Sequence, residues 1–320
     1  MTYSPGSNIQ AADYNSLATS SLSMNQMYAD LYPNTIPSVL GTFNPSDNCT
    51  YGYGQAALAP VTALSAIHTT EWNNLFNVIR KTGAHQGTIV QPPLPAVNPV
   101  VGNAITSYPG ITSLITTLNS NRFNLAPAQN TQSSHSFIQP APTIPWTHSL
   151  TFTLRADFGS WNNARYFFNA GGFLAISGTY VPVGAPTPEE IYWMGTFSDM
   201  SPLIFNYSTT LPNLLGGGSA VGFYGLTTAY HVTPIYKHSY GTSVYTTNYI
   251  QVNAKFVNAV GTDGLLEFTI QMIDNDVTPN AKTGTTTFNI QESHSSGQIV
   301  YPGPAVSVAS VGANNGFVAT

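Results

Sequence analysis

The sequence predicts an α+β protein in which a helical N-terminal region with Pro-rich straps is followed by an antiparallel β-sandwich. In parts of the first 125 residues, apolar side chains recur at every third or fourth position, which is the spacing of one helix face. From Trp146 onward the spacing changes to every second position, which is typical of strands with one buried face. These patterns predict a helical region over residues 1–125, a Pro-rich linker over residues 126–145 and a β-sandwich domain over residues 146–320.

The N-terminal region is predicted to contain three helices. The first spans residues 14–31, the second begins at Thr69 or Thr70 and ends at Gly83, and the third covers residues 111–118. Because their apolar faces are too few to bury one another completely, we expect part of this surface to dock on another subunit. The stripe of the first helix can also pack within its own chain, which is favoured because only about two heptads are present. The side chains expected on the docking faces of the first two helices are Tyr14, Leu17, Met24, Leu31, Trp72, Leu75, Phe76 and Ile79.

The β-domain is predicted from alternating runs that are separated by turns. HSLTFTLRADF and FLAISGTYVPV are strands, and Pro188 followed by Glu189 and Glu190 opens a helix through Met194, since acidic side chains favour a first turn. Further runs alternate between residues 226 and 274, where an Asp-Gly pair at 263–264 indicates a hairpin. With TTTFNIQES and a Val-rich C-terminal segment, we expect about seven or eight strands in the sandwich.

The stretch FGSWNNARYFFNAGG, residues 158–172, joins two predicted strands and is rich in aromatic residues. Its serine can cap a short helix, and its glycine pair ends that helix before the next strand. We expect the rings to fill the open end of the sandwich, and the arginine to stack on a ring or to pair with Asp157. The residues of this predicted structural corner are Phe158, Ser160, Trp161, Arg165, Tyr166, Phe167, Phe168, Gly171 and Gly172.

Charged residues make up only 7% of the 320-residue chain, against roughly a quarter in an average domain. The formal net charge is -5 and there is no cluster of Lys and Arg to neutralise phosphates, which argues against nucleic acid as a partner. A surface rich in hydroxyl and amide groups suits a protein that packs against neighbours, where charges would have to be desolvated. The single cysteine, Cys49, excludes an internal disulfide, and the segment MTYSPGSNIQ lacks the pattern of a signal peptide.

The corner stretch, with the pattern F-x-S-W-x-x-A-R-Y-F-F-N-A-G-G between two strands, resembles a motif of structural proteins of tailed-bacteriophage virions. The segments IQAADYNSL, YGYGQ and HTTEWNNLFNVIRKTGAHQG resemble the leading part of such proteins. The chain departs from the pattern at Asn162 and Asn163, since an acidic residue commonly follows the tryptophan. The resemblance implies a non-enzymatic component of a tail fibre, a neck or collar, or a baseplate, assembled in the host cytoplasm with other virion proteins and with copies of itself.

No residue pattern indicates catalysis or a bound cofactor. The histidines are scattered, and Asp274-Asn275-Asp276 is interpreted as a plain turn, with a minimal calcium site as the alternative. Two other functions stay open: a receptor- or glycan-binding module in which Trp193, Tyr236 and Tyr240 stack on a host surface glycan, and a glycan depolymerase with a carboxylate pair. The sequence favours the structural protein, with no cofactor, no metal, no nucleic acid and no membrane insertion.

Overall fold

The computed structural model describes residues 10–19, 24, 58–63, 67–92, 94–98, 100, 108–138, 146–200, 202–211, 221–230, 234–241, 244–276, 281–297, 299 and 303–310. The chain divides into two compact units. The first combines Met1–Thr131 with Arg165–Gly171 and His294–Pro302, and the second takes the remaining segments. Two segments of the predicted β-domain, residues 165–171 and 294–302, thus belong to the first unit.

Helices α1 (Ala11–Ala18), α2 (Thr69–Gln86) and α3 (Tyr108–Ser120) belong to the first unit. Their apolar faces meet in one buried cluster, because side chains three and four residues apart lie on the same side of a helix. Helices α2 and α3 confirm two of the predicted helices. Helix α1 covers the start of the first predicted helix, whose residues 20–23 and 25–31 lie outside the described part of the chain.

Helix α2 continues past Gly83, where the sequence predicted its end. It stops instead at Gly87, whose φ of 74° is the left-handed conformation that commonly follows a helix. A Cβ atom on Gly83 would collide with Val90 and would lie 2.9 Å from the carbonyl oxygen of Thr88. Gly83 therefore allows the segment after the helix, which includes Thr88 and Val90, to pack closely against it.

The strands are β1 (Asn130–Ile138), β2 (Ser149–Asp157), β3 (Phe173–Val181), β4 (Leu203–Phe205), β5 (Thr210–Leu211), β6 (Tyr236–His238), β7 (Tyr249–Phe256), β8 (Leu265–Ile273), β9 (Thr285–Ser295) and β10 (Ser307–Ser310). Within the described residues they form two five-stranded antiparallel sheets, in the orders β1-β9-β3-β4-β5 and β10-β2-β8-β7-β6. Strands β7 and β8 are antiparallel neighbours joined at residues 257–264, which confirms the predicted hairpin.

The two sheets share an apolar core, which confirms the predicted sandwich. On β2, Leu150, Phe152 and Leu154 are buried on one face, and Thr151 and Thr153 point to the other face of the sheet. Phe152 of β2 meets Phe288 of β9 edge to face, with ring centroids 4.8 Å apart. A second pair across the sheets, Phe205 and Phe268, has a centroid distance of 5.2 Å. The fold class is α+β with an antiparallel β-sandwich.

Strands β1, β4 and β5 were not predicted. Strand β1 lies inside the predicted linker, and its side chains are mostly exposed, so the alternation that marks a half-buried strand is absent from its sequence. It pairs at the edge of its sheet, where the hydroxyl of Ser136 donates to Oδ1 of Asn289 at 2.5 Å. Strands β4 and β5, of 3 and 2 residues, are too short to show a period.

Two further helices follow strands β2 and β3: α4 (Trp161–Asn169) and α5 (Pro188–Met200). Helix α5 starts where predicted and extends beyond Met194. Thr187 and Glu190 form a capping box, in which the N–H of Thr187 donates to Oε2 of Glu190 at 2.9 Å and the N–H of Glu190 donates to Oγ1 of Thr187 at 3.2 Å. The helix packs closely on β3 because Gly178 leaves room for the ring of Phe197.

Candidate functional site

The predicted corner contains the expected short helix. Ser160 caps α4, since its Oγ accepts a hydrogen bond from the N–H of Asn163 at 3.1 Å. The ring of Trp161 is 8% exposed, stacks on Phe223 and meets Phe256 edge to face, with both centroid distances at 5.2 Å. The start of the corner is therefore part of the sandwich core.

The second half of the corner does not join that core in the way the sequence predicted. Residues 165–171 belong to the first unit, whereas Phe158 and Trp161 belong to the sandwich unit. Phe167 and Phe168 are fully buried and meet each other edge to face at 5.0 Å, and Arg165 is 3% exposed. The carboxylate of Asp157 accepts the N–H of Gly159 at 2.7 Å. The corner is thus a set of core side chains divided between the units, with Tyr166 half-buried.

The side chains predicted for docking are also core residues. Tyr14 and Trp72 meet edge to face at 5.6 Å, and Trp72 contacts Phe76 at 5.8 Å. Leu17, Met24, Leu75 and Ile79 are buried in the same cluster of this chain, whereas Leu31 lies outside the described residues. A docking surface in this region must therefore use other side chains. Ile89, Val97 and Val100, in the segment after α2, are between 66% and 81% exposed.

A buried charge cluster is the most unusual feature of the sandwich unit. The ammonium group of Lys282, which is 1% exposed, lies 2.6 Å from Oε1 of Glu189 and forms an ion pair with Oδ2 of Asp274. Its Nζ also donates to the carbonyl oxygen of Thr147 at 3.3 Å and lies 5.2 Å from the centre of the Trp146 ring. Burial lowers the pKa of Lys282, although the contact with Glu189 acts in the opposite direction.

A second buried carboxylate stands beside this cluster. Glu190 accepts hydrogen bonds from the hydroxyl of Tyr180 at 2.9 Å and from the Thr187 side chain at 3.0 Å. Burial by itself would raise the pKa of Glu190, but the hydrogen bonds from Thr187 and Tyr180 outweigh it and hold the pKa below its usual range. The adjacent glutamates at the start of α5, which the sequence explained by the helix dipole, thus have separate partners.

The outer face of strands β2, β8 and β7 is covered by polar side chains in consecutive cross-strand rows. We call this surface the polar face. It carries an amide chain, in which Gln251 donates to Oε1 of Gln271 at 2.6 Å and Gln271 donates to the hydroxyl of Thr151 at 3.4 Å. The rows are Thr151, Gln271 and Gln251; Thr153, Thr269 and Asn253; and Arg155, Glu267 and Lys255.

In the charged row of the polar face, two cations share one carboxylate. Glu267 pairs with Arg155 at 2.9 Å and with Lys255 at 3.2 Å, and the hydroxyl of Tyr230 donates to it at 2.8 Å. Burial, together with the hydrogen bond to Glu267, raises the pKa of Tyr230 to about 12. The polar face therefore offers mainly hydroxyl and amide groups, with a tyrosine at one border.

The aromatic residues predicted for glycan stacking are only partly available. Trp193 is fully buried against Trp146, and Tyr236 is 1% exposed, because α5 and β6 contribute these rings to the core. Tyr240 remains 38% exposed, and so does Tyr230, for which the sequence predicted no role. The stacking hypothesis is therefore wrong for Trp193 and Tyr236.

The structure brings together few of the groups that metal binding would require. Asp274 forms the turn that the sequence favoured, because its Oδ1 accepts the N–H of Asp276 at 2.9 Å, while its other oxygen pairs with Lys282. Within the described ranges, no group of three or more His, Cys, Asp and Glu residues is placed to hold a metal ion.

Of the helices that the structure describes, none is long and apolar enough to cross a membrane. No protein-family model, curated protein or solved structure matches this chain.

Proposed function

We propose that this chain is a non-enzymatic structural component of a tailed-bacteriophage virion, belonging to a tail fibre, a neck or collar, or a baseplate. The observation that carries the proposal is the polar face, a sheet surface of mostly uncharged hydrogen-bonding groups, on which Arg155 and Lys255 both pair with Glu267. A neighbouring subunit can cover such a surface while both cations of the charged row keep their ion pairs with Glu267. The resemblance of the corner and N-terminal segments to virion proteins supports the same assignment.

The direct test is the protein content of the particle. Particles of a phage that encodes this chain are purified, and their proteins are identified by peptide mass spectrometry. We expect peptides of this chain at a stoichiometry that fits a ring or a fibre. A copy number per particle that is a multiple of three but not of six would favour a fibre, and six or twelve copies would favour a neck or baseplate. Purified particles that lack the chain would contradict the proposal.

The role of the polar face is tested by adding one charge to it. Thr153→Lys places an ammonium group in the middle row of the face, and we expect it to prevent assembly, because a buried unpaired charge costs several kcal/mol. The matched control is Thr179→Lys, which places the same group at an exposed position of β3 in the other sheet. Assembly is followed by light scattering and electron microscopy, and equal assembly of both variants would contradict this role.

Receptor or glycan binding is the second candidate, because Tyr230 is 38% exposed at the border of the polar face and its hydroxyl contacts Thr269. Tyrosine rings beside hydroxyl and amide groups are suited to stacking on sugars. Titration of the protein with host surface polysaccharide distinguishes the candidates. Binding that Tyr230→Ala abolishes, without any change in assembly, would favour the glycan-binding module.

A further inference from the structure

The buried charge cluster combines one lysine with two carboxylates inside the sandwich unit. Lys282, Glu189 and Asp274 are each at most 3% exposed, in a chain with only 7% charged residues. Burying a lysine and its carboxylate partners is costly, and a hydrophobic replacement of such a set is often neutral or stabilising. The cluster is therefore poorly explained by stability alone, and its three groups are a nucleophile, a proton carrier and an acceptor.

We propose that Lys282 and Asp274 form an intramolecular isopeptide bond, with Glu189 as the catalytic residue that moves the proton. Within the ion pair, one proton passes from the ammonium group of Lys282 to Oδ2 of Asp274, and the resulting amine nitrogen attacks Cγ of Asp274. The carboxylate of Glu189 takes one proton from the attacking nitrogen and delivers it to the departing hydroxyl group. One C–N bond forms, one C–O bond breaks and one water molecule leaves, so the reaction needs no oxidant, reductant or co-reactant.

The reacting groups are held in place by their own backbones. The N–H of Lys282 donates to the carbonyl oxygen of Trp146 at 2.9 Å, and the N–H of Asp274 donates to the carbonyl oxygen of His148 at 2.8 Å. Both residues are thus fixed to the segment that enters β2. Fixing two reactants in contact removes most of the entropy cost of a reaction between separate molecules.

The contacts also indicate what each carboxylate oxygen of Asp274 and the carboxylate of Glu189 do in the reaction. Oδ2 of Asp274 faces the Lys282 nitrogen, while Oδ1 accepts the N–H of Asp276 at 2.9 Å. That hydrogen bond supports the oxygen on which negative charge develops during attack and which stays as the amide carbonyl. Glu189 Oε1 lies 2.6 Å from the nitrogen, within reach for proton transfer.

The surroundings favour the uncharged reactants. Trp146, which packs on the buried Trp193, lies beside Lys282, and burial disfavours an ammonium group relative to the neutral amine that is nucleophilic. Glu190, the other carboxylate nearby, accepts hydrogen bonds from Tyr180 and Thr187 instead. The amide product replaces a buried cation and a buried anion by a neutral group.

Intact mass spectrometry of the denatured full-length protein tests the proposal. We expect a mass lower by one water than the sequence requires, and the full mass for Lys282→Arg, Asp274→Ala and Glu189→Gln. The matched control Lys255→Arg changes a lysine that is also paired with a glutamate but is partly exposed, and it should keep the mass deficit. The full sequence mass in the unmodified protein would overturn the proposal, whatever the folding of the variants.

Peptide mapping locates the lost water. No Lys or Arg follows Lys282, so trypsin releases residues 256–282 and 283–320 from the unlinked chain, whereas an amide at Nζ blocks cleavage and leaves residues 256–320 joined. Fragmentation must then place the link between Lys282 and Asp274. A lost water at Asp263-Gly264, as in a succinimide, or a link from Lys282 to Glu189, would overturn the assignment.

Discussion

At the scale of single residues, Trp161 shows how an aromatic side chain in a predicted corner becomes part of the core. Its ring lies between Phe223 and Phe256 at the end of strand β7. We expect Trp161→Ala to lower the free energy of unfolding by about 3 to 5 kcal/mol, because it leaves a cavity. Trp161→Phe keeps part of the stacking, so the free energy of unfolding should fall by less in this variant. Urea denaturation measures both, and an alanine variant as stable as the parent would show that the ring contributes no packing.

His85 makes the stability of the protein depend on pH. It is fully buried on α2, and its Nε2 lies 2.8 Å from the carbonyl oxygen of Ala170. Burial lowers its pKa from 6.5 to about 4, and the hydrogen bond to Ala170 offsets only part of that effect. Between these two values the unfolded chain binds more protons than the folded chain. Stability therefore falls as the pH decreases through this window.

Lowering the pH from about 7 to about 5 should cost about 2 kcal/mol of unfolding free energy through His85. Carboxylates such as Glu190, whose pKa is held low, stay ionised between pH 5 and 7 and therefore do not contribute to this change in stability. Urea denaturation at both pH values checks it. In His85→Gln, most of the difference in unfolding free energy between the two pH values should disappear. In His148→Gln, which changes an exposed histidine, the difference should remain. An unchanged difference in His85→Gln would contradict the assignment.

At the scale of elements, the end of helix α4 depends on a glycine. Gly171 has a φ of 82°, and a Cβ atom there would lie 2.8 Å from the carbonyl oxygen of Phe123 and 2.9 Å from Cβ of Leu125. Gly184 has nearly the same φ, 80°, but a Cβ atom there would meet nothing within 4 Å. The two positions therefore separate backbone strain from steric overlap.

We expect Gly184→Ala to cost about 1 kcal/mol, from the left-handed backbone alone. Gly171→Ala should cost about 3 kcal/mol, because the added methyl group must also displace backbone atoms that cannot move independently. Thermal melting of the two variants measures the difference. Equal losses would show that the segment around Phe123 yields to the methyl group and that only the backbone conformation matters.

At the scale of the whole molecule, each unit is built from several segments of the chain, and this limits which fragments can be expressed alone. A fragment of residues 146–320 lacks β1, which pairs with β9 and covers that edge of its sheet. Exposed strand edges promote aggregation. We expect residues 132–320, which keep most of β1, to be more soluble than residues 146–320, since both fragments equally lack the helices that share a unit with residues 165–171 and 294–302. Equal solubility of both fragments would show that β1 is dispensable, as the predicted linker implied.

The sequence by itself determined the elements whose signal is local. Strands β2, β7 and β8 alternate because one face is buried and the other is partly exposed, and α2 carries its apolar residues on one helix face. The cap at Ser160 and the hairpin at Asp263-Gly264 also depend on a few neighbouring residues, so their side chains suffice to predict them. The α+β class and the sandwich follow from these elements.

Only the tertiary structure decided which distant residues meet. Strand β1 is specified by its pairing with β9, and Gly83 stays within α2 because the returning chain packs on it. Lys282 and Glu189 are far apart in sequence, and neither residue's neighbours indicate that both side chains are buried. Burial and contact between remote side chains are properties of the packed molecule, for which a single sequence carries no periodic signal. The buried charge cluster was therefore visible only in the fold.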